Sequence, residues 1–356
     1  MMGISMDIKR KLGEFELYVQ LHSDSNRIGI LGASGCGKSL TLKSIAGIET
    51  PDKGKIIVNG VELFESNKRI NVKPQKRRIG YLFQNYALFP HMTVEQNIEI
   101  GLRGTKEENQ KPVKEMISKF RLTGLEKHLP GQLSGGQQQR TALARIIAYE
   151  PDVILLDEPF SALDGFLKDR LQLELEEMLE DYEGTVIMVS HSRDEVYRFC
   201  EDLIILDQGS VVVSGKTKEL FLNPQYKEAA KLTGCKNFLE MERIDAHTAL
   251  LKEWNLQLHV QREIPEGCTS IGYRAHDFIP VWGERRENCF AYKVQKCAEL
   301  PFERNYYIAS ETGKEELSWF VQQNLYQEIE ERGMPDFLQF DDRKCMFLKV
   351  RKKKGN

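Results

Sequence analysis

The sequence predicts an α/β domain with a parallel sheet, followed by a smaller domain built from short strands. A glycine-rich stretch at residues 32–39 separates an apolar strand from an apolar-periodic helix. Two further apolar runs, at 153–156 and 186–189, predict buried parallel strands of the same domain. Beyond residue 235 the pattern changes to short alternating strands. A chain of 356 residues is long enough for two such domains.

The composition argues against a dedicated polyanion binder. Lys and Arg total 50 and Asp and Glu total 53, which gives a formal net charge of -3, so we expect no nucleic-acid partner. Seven cysteines without C-x-x-C spacing, together with a start unlike a signal peptide, indicate a reducing, cytosolic setting. The longest apolar runs fall well short of the roughly 20 residues that cross a bilayer.

The glycine-rich stretch matches the pattern G-x-x-x-x-G-K-S. Its residues are Gly32, Ala33, Ser34, Gly35, Cys36, Gly37, Lys38 and Ser39, followed by Leu40. Glycines let backbone N–H groups converge on an anion, and the helix that follows points its positive end at the same place. We expect Lys38 to hold the β- and γ-phosphates of a nucleotide and Ser39 to ligate Mg²⁺. The alternative is a glycine-rich turn that binds nothing.

An acidic pair ends the apolar run at 153–156. Asp157 and Glu158 follow that run directly, and Pro159 comes next. A buried parallel strand brings such residues to the ligand crevice at its carboxyl end. We expect Asp157 to reach the Mg²⁺ and Glu158 to face an attacking water. The alternative, a strand followed by an Asp helix cap, is disfavoured because Pro159 stops both elements.

Three more side chains are candidates from their positions. Gln84 ends a strand at 78–84 and could coordinate Mg²⁺ or be an ordinary strand-end residue. His191 ends the strand at 184–191 and could bond a γ-phosphate oxygen or be structural. Phe15 lies in an apolar stretch before the glycine-rich turn and could stack on a purine or belong to the core.

A block of helices is predicted between the two parts of the α/β domain, at about 92–150. Within it Leu133 precedes Ser134, Gly135, Gly136 and Gln137, so that Ser-Gly-Gly opens a helix. A hydroxyl, close backbone approach and a helix N-terminus together suit a terminal phosphate. The alternative is an ordinary serine cap with loop glycines.

Taken in order over about residues 5–235, these pieces resemble the ATP-binding subunits of ATP-binding-cassette (ABC) transporters. Six motifs appear in the family's order: Walker A at 32–39, the Q-loop at Gln84, the LSGGQ signature at 133–137, Walker B at 153–157 with Glu158, the D-loop at 161–164 and the H-loop at His191. The resemblance implies a P-loop cassette with an inserted helical subdomain.

The same resemblance supplies roles for the residues. Two chains would pair head to tail, with each ATP between the Walker A motif of one chain and the signature of the other, while Asp164 marks the D-loop. Glu158 would activate water, His191 would hold the γ-phosphate, and Gln84 would link nucleotide state to a membrane permease. Lys38 would be the fourth catalytic residue, beside Glu158, His191 and Gln84. Phe15 would stack on adenine, with Leu12 and Tyr18 as nearby alternatives.

One residue departs from the family pattern. Leu40 follows Ser39 where the family usually has Thr or Ser, so one hydroxyl contact to the α-phosphate would be missing. Lys38, Ser39, Asp157 and Glu158 are all present, and we therefore expect ATP hydrolysis to be retained.

One segment of the chain resembles ABC transporters that are importers. Residues 85–94, after the Q-loop, are similar to those of importers for oxyanions, sugars and metals. This segment is apolar and turn-rich, and we expect the permease to dock there. An extracytoplasmic solute-binding protein would be an indirect partner. The chain itself would be peripheral, on the cytoplasmic face of the membrane.

Residues 1–234 form the expected cassette and 235–356 a second domain whose short strands predict a small barrel. Residues 271–278 resemble the opening of the TOBE domain in molybdate and sulfate importers, with His276 replacing the usual Glu. Residues 233–237 resemble the molybdate branch. The cargo implied is an oxyanion, most closely molybdate. Alternatives are sulfate or thiosulfate, or a metal, sugar or polyamine.

The second domain could bind an oxyanion, with Arg274 and Lys293 as contacts, or only hold two chains together. Two other classes of protein fit less well. A soluble cassette acting on DNA or ribosomes typically has paired cassettes or long coiled coils, and a P-loop kinase has neither a signature nor an H-loop.

Overall fold

The computed structural model describes residues 3–102, 104–161, 165–310, 313 and 315–351. The chain divides into two compact units, residues 1–217 and residues 218–356. The division therefore comes earlier than the boundary predicted after residue 234. Its physical reason is packing, because Ala230 shares a buried apolar cluster with Cys235, Met346 and Leu348 and so belongs with the strands that follow it.

The first unit is built on a mixed sheet to which eleven described strands contribute. They are β1 (Ile4–Leu12), β2 (Phe15–Ser23), β3 (Arg27–Leu31), β4 (Lys53–Val58), β5 (Val61–Glu65), β6 (Ile70–Asn71), β7 (Ile79–Leu82), β8 (Val153–Asp157), β9 (Thr185–Ser190), β10 (Asp202–Asp207) and β11 (Ser210–Lys216). Their order across the sheet is β6-β5-β4-β1-β2-β11-β10-β3-β9-β8-β7. The neighbours β10, β3, β9, β8 and β7 run parallel. The predicted parallel α/β sheet is thus confirmed.

Nine α-helices occur in the described residues. They are α1 (Lys38–Ala46), α2 (Val94–Glu99), α3 (Lys106–Lys119), α4 (Gly135–Ala148), α5 (Gly165–Met178), α6 (Arg193–Phe199), α7 (Thr217–Leu222), α8 (Lys227–Leu232) and α9 (Gln323–Arg332). Helices α2, α3 and α4 lie in the block predicted at 92–150. Each begins at a capping box, with Thr93, Thr105 or Ser134 as the cap residue.

Apolar side chains of the central strands and α1 pack into one core. Ile8, Leu17, Ile28, Leu42 and Leu155 are fully buried members of that core. Strands β8 and β9 are buried at every position, as their uninterrupted apolar runs predict. This core fixes the strand ends that carry the candidate site.

The second unit contains twelve described strands. They are β12 (Asn237–Glu240), β13 (Glu242–Arg243), β14 (Thr248–Leu251), β15 (Leu256–His259), β16 (Cys268–Tyr273), β17 (Ile279–Val281), β18 (Cys289–Phe290), β19 (Lys293–Glu299), β20 (Glu303–Ala309), β21 (Glu316–Gln322), β22 (Phe337–Gln339) and β23 (Met346–Lys349). They form four three-stranded sheets, β12-β16-β23, β13-β14-β15, β17-β22-β18 and β19-β20-β21. The short strands are confirmed, but they are grouped into open sheets around one aromatic-rich core rather than into a single closed ring.

Candidate active site

The site lies where parallel strands of the first unit end. Leu31 at the end of β3 pairs with Ser190 of β9, and Val189 of β9 pairs with Asp157 of β8. The segments that follow these strands therefore meet at one edge of the sheet. This arrangement brings the glycine-rich loop, the acidic pair and His191 together, as the sequence predicts.

The loop after β3 has a backbone that only its glycines allow. Gly37 has a left-handed backbone, with φ 105°, and is the N-cap of α1. A Cβ atom on Gly32 would lie 2.4 Å from the Leu206 carbonyl oxygen and 2.5 Å from Cys36 Sγ. Lys38 Nζ donates to the carbonyls of Gly32, at 3.0 Å, and Ala33, at 3.1 Å. The ammonium is thus held inside the loop, where an anion would meet it together with the N-terminus of α1.

Asp157 joins the loop to the acidic strand end. Ser39 Oγ donates to Asp157 Oδ1 at 2.8 Å, and the Tyr81 hydroxyl donates to Asp157 Oδ2 at 2.7 Å. Burial, and then the charge of Asp157, raise the pKa of Tyr81, so the phenol stays a neutral donor. A hydroxyl beside a carboxylate is an oxygen set that fits Mg²⁺. Sequence reasoning missed Tyr81, which lies on β7 beside β8.

Glu158 lies between Lys38 and His191, two other residues of the predicted site. Its carboxylate is 3.4 Å from Lys38 Nζ and 3.2 Å from His191 Nδ1. Its backbone is left-handed, with φ 46°, a conformation that costs a non-glycine residue free energy. Hydrogen bonds hold this conformation: Glu158 N donates to Val189 O, and Ser161 N and Oγ donate to Glu158 O. The carboxylate is thereby fixed beside the phosphate loop.

A buried network that sequence reasoning missed holds the backbone on both sides of His191. Ser190 Oγ donates to Glu195 Oε2, and Ser192 N donates to Ser190 Oγ at 2.8 Å. Lys168 Nζ on α5 lies 2.6 Å from the other oxygen of Glu195, whose side chain is 3 % exposed. Glu195 therefore ties the histidine loop to the helix that follows the D-loop.

Phe15 packs against the phosphate loop. Its Cζ atom lies 3.2 Å from the point where a Cβ on Gly37 would stand. Leu12 is 44 % exposed, and Tyr18 lies under Lys9, whose Nζ is 5.0 Å from the ring centroid. Of the three candidates for stacking on adenine, Phe15 is the one that we find beside Gly37 of the loop.

The signature residues lie at the start of α4. Leu133 is buried and Ser134 is exposed as the cap of α4, with Ser134 N donating to Gln137 Oε1 at 2.8 Å. Gly135 and Gly136 form the first turn. Within the described residues we find no hydrogen bond or ion pair from this motif to the phosphate loop. From further along α4, Gln139 Nε2 donates to Pro159 O at 3.2 Å, next to Glu158.

Another predicted residue, Gln84, is not joined to this cluster. Gln84 is exposed two residues beyond β7, and no hydrogen bond to Ser39 or Asp157 is seen in the described part of the chain. Asp164 of the D-loop lies outside the described residues. Over that same part of the chain, no helix combines the length and hydropathy needed to cross a bilayer.

In the second unit, Arg274, which could be an anion contact, is already hydrogen-bonded to backbone. Its guanidinium donates to the carbonyl oxygens of Thr233 and Phe221, both at 2.8 Å, and so it holds backbone together. A separate cavity of about 390 Å³ is lined by polar groups that include Glu287, Asp341, Asp342 and Arg343. Arg343 is already paired with Asp341. Carboxylates therefore dominate this cavity, which does not suit an oxyanion.

The chain is also similar in sequence to proteins of known family. The family model described as ABC transporter matches residues 19–161. The putrescine transport ATP-binding protein of Escherichia coli K12 is 43% identical over 214 residues, which are 59% of this chain and 55% of that protein. The sulfate/thiosulfate import ATP-binding protein of Pectobacterium atrosepticum is 34% identical over 323 residues, 88% of this chain and 91% of that protein. The chain thus spans little more than half of the first relative and nearly all of the second.

Solved structures give the same result for the fold. A dimeric, post-hydrolysis structure of the ATP-binding cassette MJ0796 bound to ADP and Pi has a TM-score of 0.50 and 31% identity. A second dimeric structure of that cassette has a TM-score of 0.51 at the same identity. Each match covers 61% of this chain and 99% of the cassette.

Proposed function

The chain belongs to the ATP-binding subunits of import-type ABC transporters, and on that premise we propose that it hydrolyses ATP to power uptake of a small solute through a membrane permease. One observation carries the proposal: Glu158 lies between Lys38 and His191, at 3.4 Å and 3.2 Å, beside the Ser39–Asp157 pair. A carboxylate so placed can accept a proton from water next to a bound phosphate.

Each side chain of the site has a separate task. Lys38 and the N–H groups of the loop bind the phosphates. Ser39, Asp157 and Gln84 would hold Mg²⁺, which when bound supplies positive charge to the phosphate oxygens. Glu158 takes the proton of the attacking water at its carboxylate, and His191 holds the γ-phosphate. Phe15 provides the adenine surface.

We further propose that the active form is a head-to-tail pair of chains. Ser134 and the two glycines after it open the 14-residue helix α4 at an exposed position, which suits a phosphate from a second chain. The similar solved cassettes are dimers. The permease would dock at residues 85–94, with a solute-binding protein beyond it, and the chain would lie on the cytoplasmic face of the membrane.

The proposed cargo is an oxyanion. Molybdate is favoured by the resemblances at 233–237 and 271–278. Sulfate or thiosulfate is favoured by the relative that matches 88% of the chain, since the match to the putrescine protein covers 59%. Titration of the purified chain with molybdate, tungstate and sulfate in a calorimeter distinguishes between these candidate cargoes. Heat with one class of anion would identify the cargo and a sensor in the second unit, whereas no heat would leave that unit as a scaffold.

A pair of variants tests the catalytic proposal. Glu158→Gln should bind ATP, lose turnover and accumulate as a dimer, because ATP is no longer cleaved. Ser134→Arg in the same background should bind ATP and stay monomeric, since a bulky cation replaces the contact to the partner's nucleotide. Light scattering with and without ATP measures both. An ATP-dependent dimer that persists with Arg at position 134 would contradict the head-to-tail arrangement.

A further inference from the structure

The turn that follows Gln84 has an unfavourable backbone. Tyr86 and Ala87 are consecutive non-glycine residues with left-handed backbones, φ 59° and 45°. Such residues are uncommon singly and costly in succession. The Tyr86 hydroxyl is also buried without a hydrogen-bond partner among the described residues, which adds a desolvation cost. Inside the turn, Tyr86 N donates to Phe83 O at 2.8 Å and Ala87 N donates to Asn85 O at 2.7 Å, and contacts from outside add to these two.

Arg145 makes the contacts that hold the turn. Its Nη1 donates to Ala87 O at 2.8 Å, and its Nη2 donates to Tyr86 O at 3.0 Å. The guanidinium carbon lies 5.7 Å from the ring centroid of Phe89. No carboxylate lies within ion-pair distance of Arg145 in the described structure. The planar fork thus binds both carbonyls at once, which a lysine ammonium cannot do in the same geometry.

The rest of the segment is anchored by a second polar side chain. Asn97 is fully buried on α2. Its Oδ1 accepts from Phe89 N at 2.9 Å, and its Nδ2 donates to the carbonyls of Phe89, Met92 and Thr93. Residues 89–93 are therefore fixed to α2, whereas the left-handed turn at 86–87 is fixed to α4.

Helix α4 also carries the signature motif and contacts the residue that follows Glu158. It begins at Ser134, and Gln139 binds Pro159 O beside Glu158. From these contacts we propose that Arg145 is a positioning residue that clamps the turn after Gln84 onto α4, so that Gln84 moves with the signature helix. This inference rests on the proposed function, because it explains how nucleotide bound at the signature would reach the segment expected to meet the permease.

Hydrogen exchange measured by mass spectrometry on the purified full chain tests the clamp without requiring turnover. In Arg145→Lys, amides of peptides covering 83–90 should exchange about tenfold faster, as expected for the loss of one net charged hydrogen bond. Peptides from β8 and β9 should be unchanged. Adding Ala87→Gly should recover about fivefold of the lost protection, because glycine adopts φ > 0 without the steric penalty. Arg121→Lys, at an exposed ion pair with Glu177, is the matched control.

Steady-state kinetics gives the second readout. Loosening Gln84 should raise the KM for Mg·ATP in Arg145→Lys more than it lowers kcat, and Ala87→Gly should reverse part of that rise. Unchanged exchange at 83–90 in Arg145→Lys, or faster exchange throughout the chain, would overturn the clamp. A wild-type chain without ATPase activity would instead overturn the proposed function, because the exchange result does not depend on hydrolysis.

Discussion

Replacing Glu158 with glutamine removes one negative charge and preserves the shape of the side chain. The carboxylate is 3.4 Å from Lys38 Nζ, and at an effective dielectric constant of about 20 this corresponds to an attraction of about 5 kcal/mol before desolvation is counted. In the wild type that attraction competes with phosphate for the ammonium. Glutamine ends the competition, so ATP should bind with equal or higher affinity.

Turnover should change in the opposite direction. A carboxamide cannot accept the proton of the attacking water, and loss of a general base typically costs about 10²–10⁴-fold in rate. The contact with His191, 3.2 Å in the wild type, can persist through the amide, so the site should keep its geometry. We therefore expect kcat to fall at least about 100-fold without weaker ATP binding.

Two measurements on one preparation separate these effects. Phosphate release gives kcat, and fluorescent-nucleotide titration gives the affinity for ATP. Glu107→Gln, an exposed acid in the first turn of α3, serves as the control and should behave as the wild type. Hydrolysis by Glu158→Gln within about tenfold of the wild type would refute its role as general base.

Three further predictions follow from the packing. Glu195→Ala should lower the free energy of unfolding by about 1–3 kcal/mol in urea denaturation, because it leaves buried donors unpaired; unchanged stability would contradict the network around His191. Thiol reagent should label one cysteine of the native chain, Cys297, since the other six are buried, and Cys297→Ser should label at none. Burial raises the pKa of Glu315 above its usual 4.5, so the stability associated with its protonated form is present below that pH and lost as pH rises through the higher folded value. Glu315→Gln keeps an acceptor for Trp254 Nε1 and should therefore melt higher than wild type at pH 7 but equally at pH 4; equal melting at both values would count against that shift.

The local parts of the site could be predicted from sequence. The glycines at 32–37 specify a turn that few other residues permit, and the uninterrupted apolar run before Asp157 specifies a buried parallel strand. Parallel strands end at one edge, so the meeting of Lys38 and Glu158 follows from topology alone.

Contacts that depend on which elements become neighbours could not be predicted. Tyr81 reaches Asp157 only because β7 lies beside β8, and Arg145 reaches the turn at 86–87 across 58 residues of chain. The use of Arg274 as a donor to two backbone carbonyls is a third contact of this kind. In the second unit, β12, β16 and β23 pair across the whole length of the unit. Such pairing carries little local signal, which explains why the four separate sheets were not predicted.

Complementation between two inactive chains tests the central claim most directly. Lys38→Ala removes the phosphate-binding ammonium, and Ser134→Arg blocks the signature, so each chain alone should fail to hydrolyse ATP. In a mixed pair, the Lys38 site of one chain meets the intact signature of the other and forms one complete site. Phosphate release from the equimolar mixture should clearly exceed the sum of the separate rates. A mixture as inactive as its components would contradict hydrolysis at a site shared between two chains.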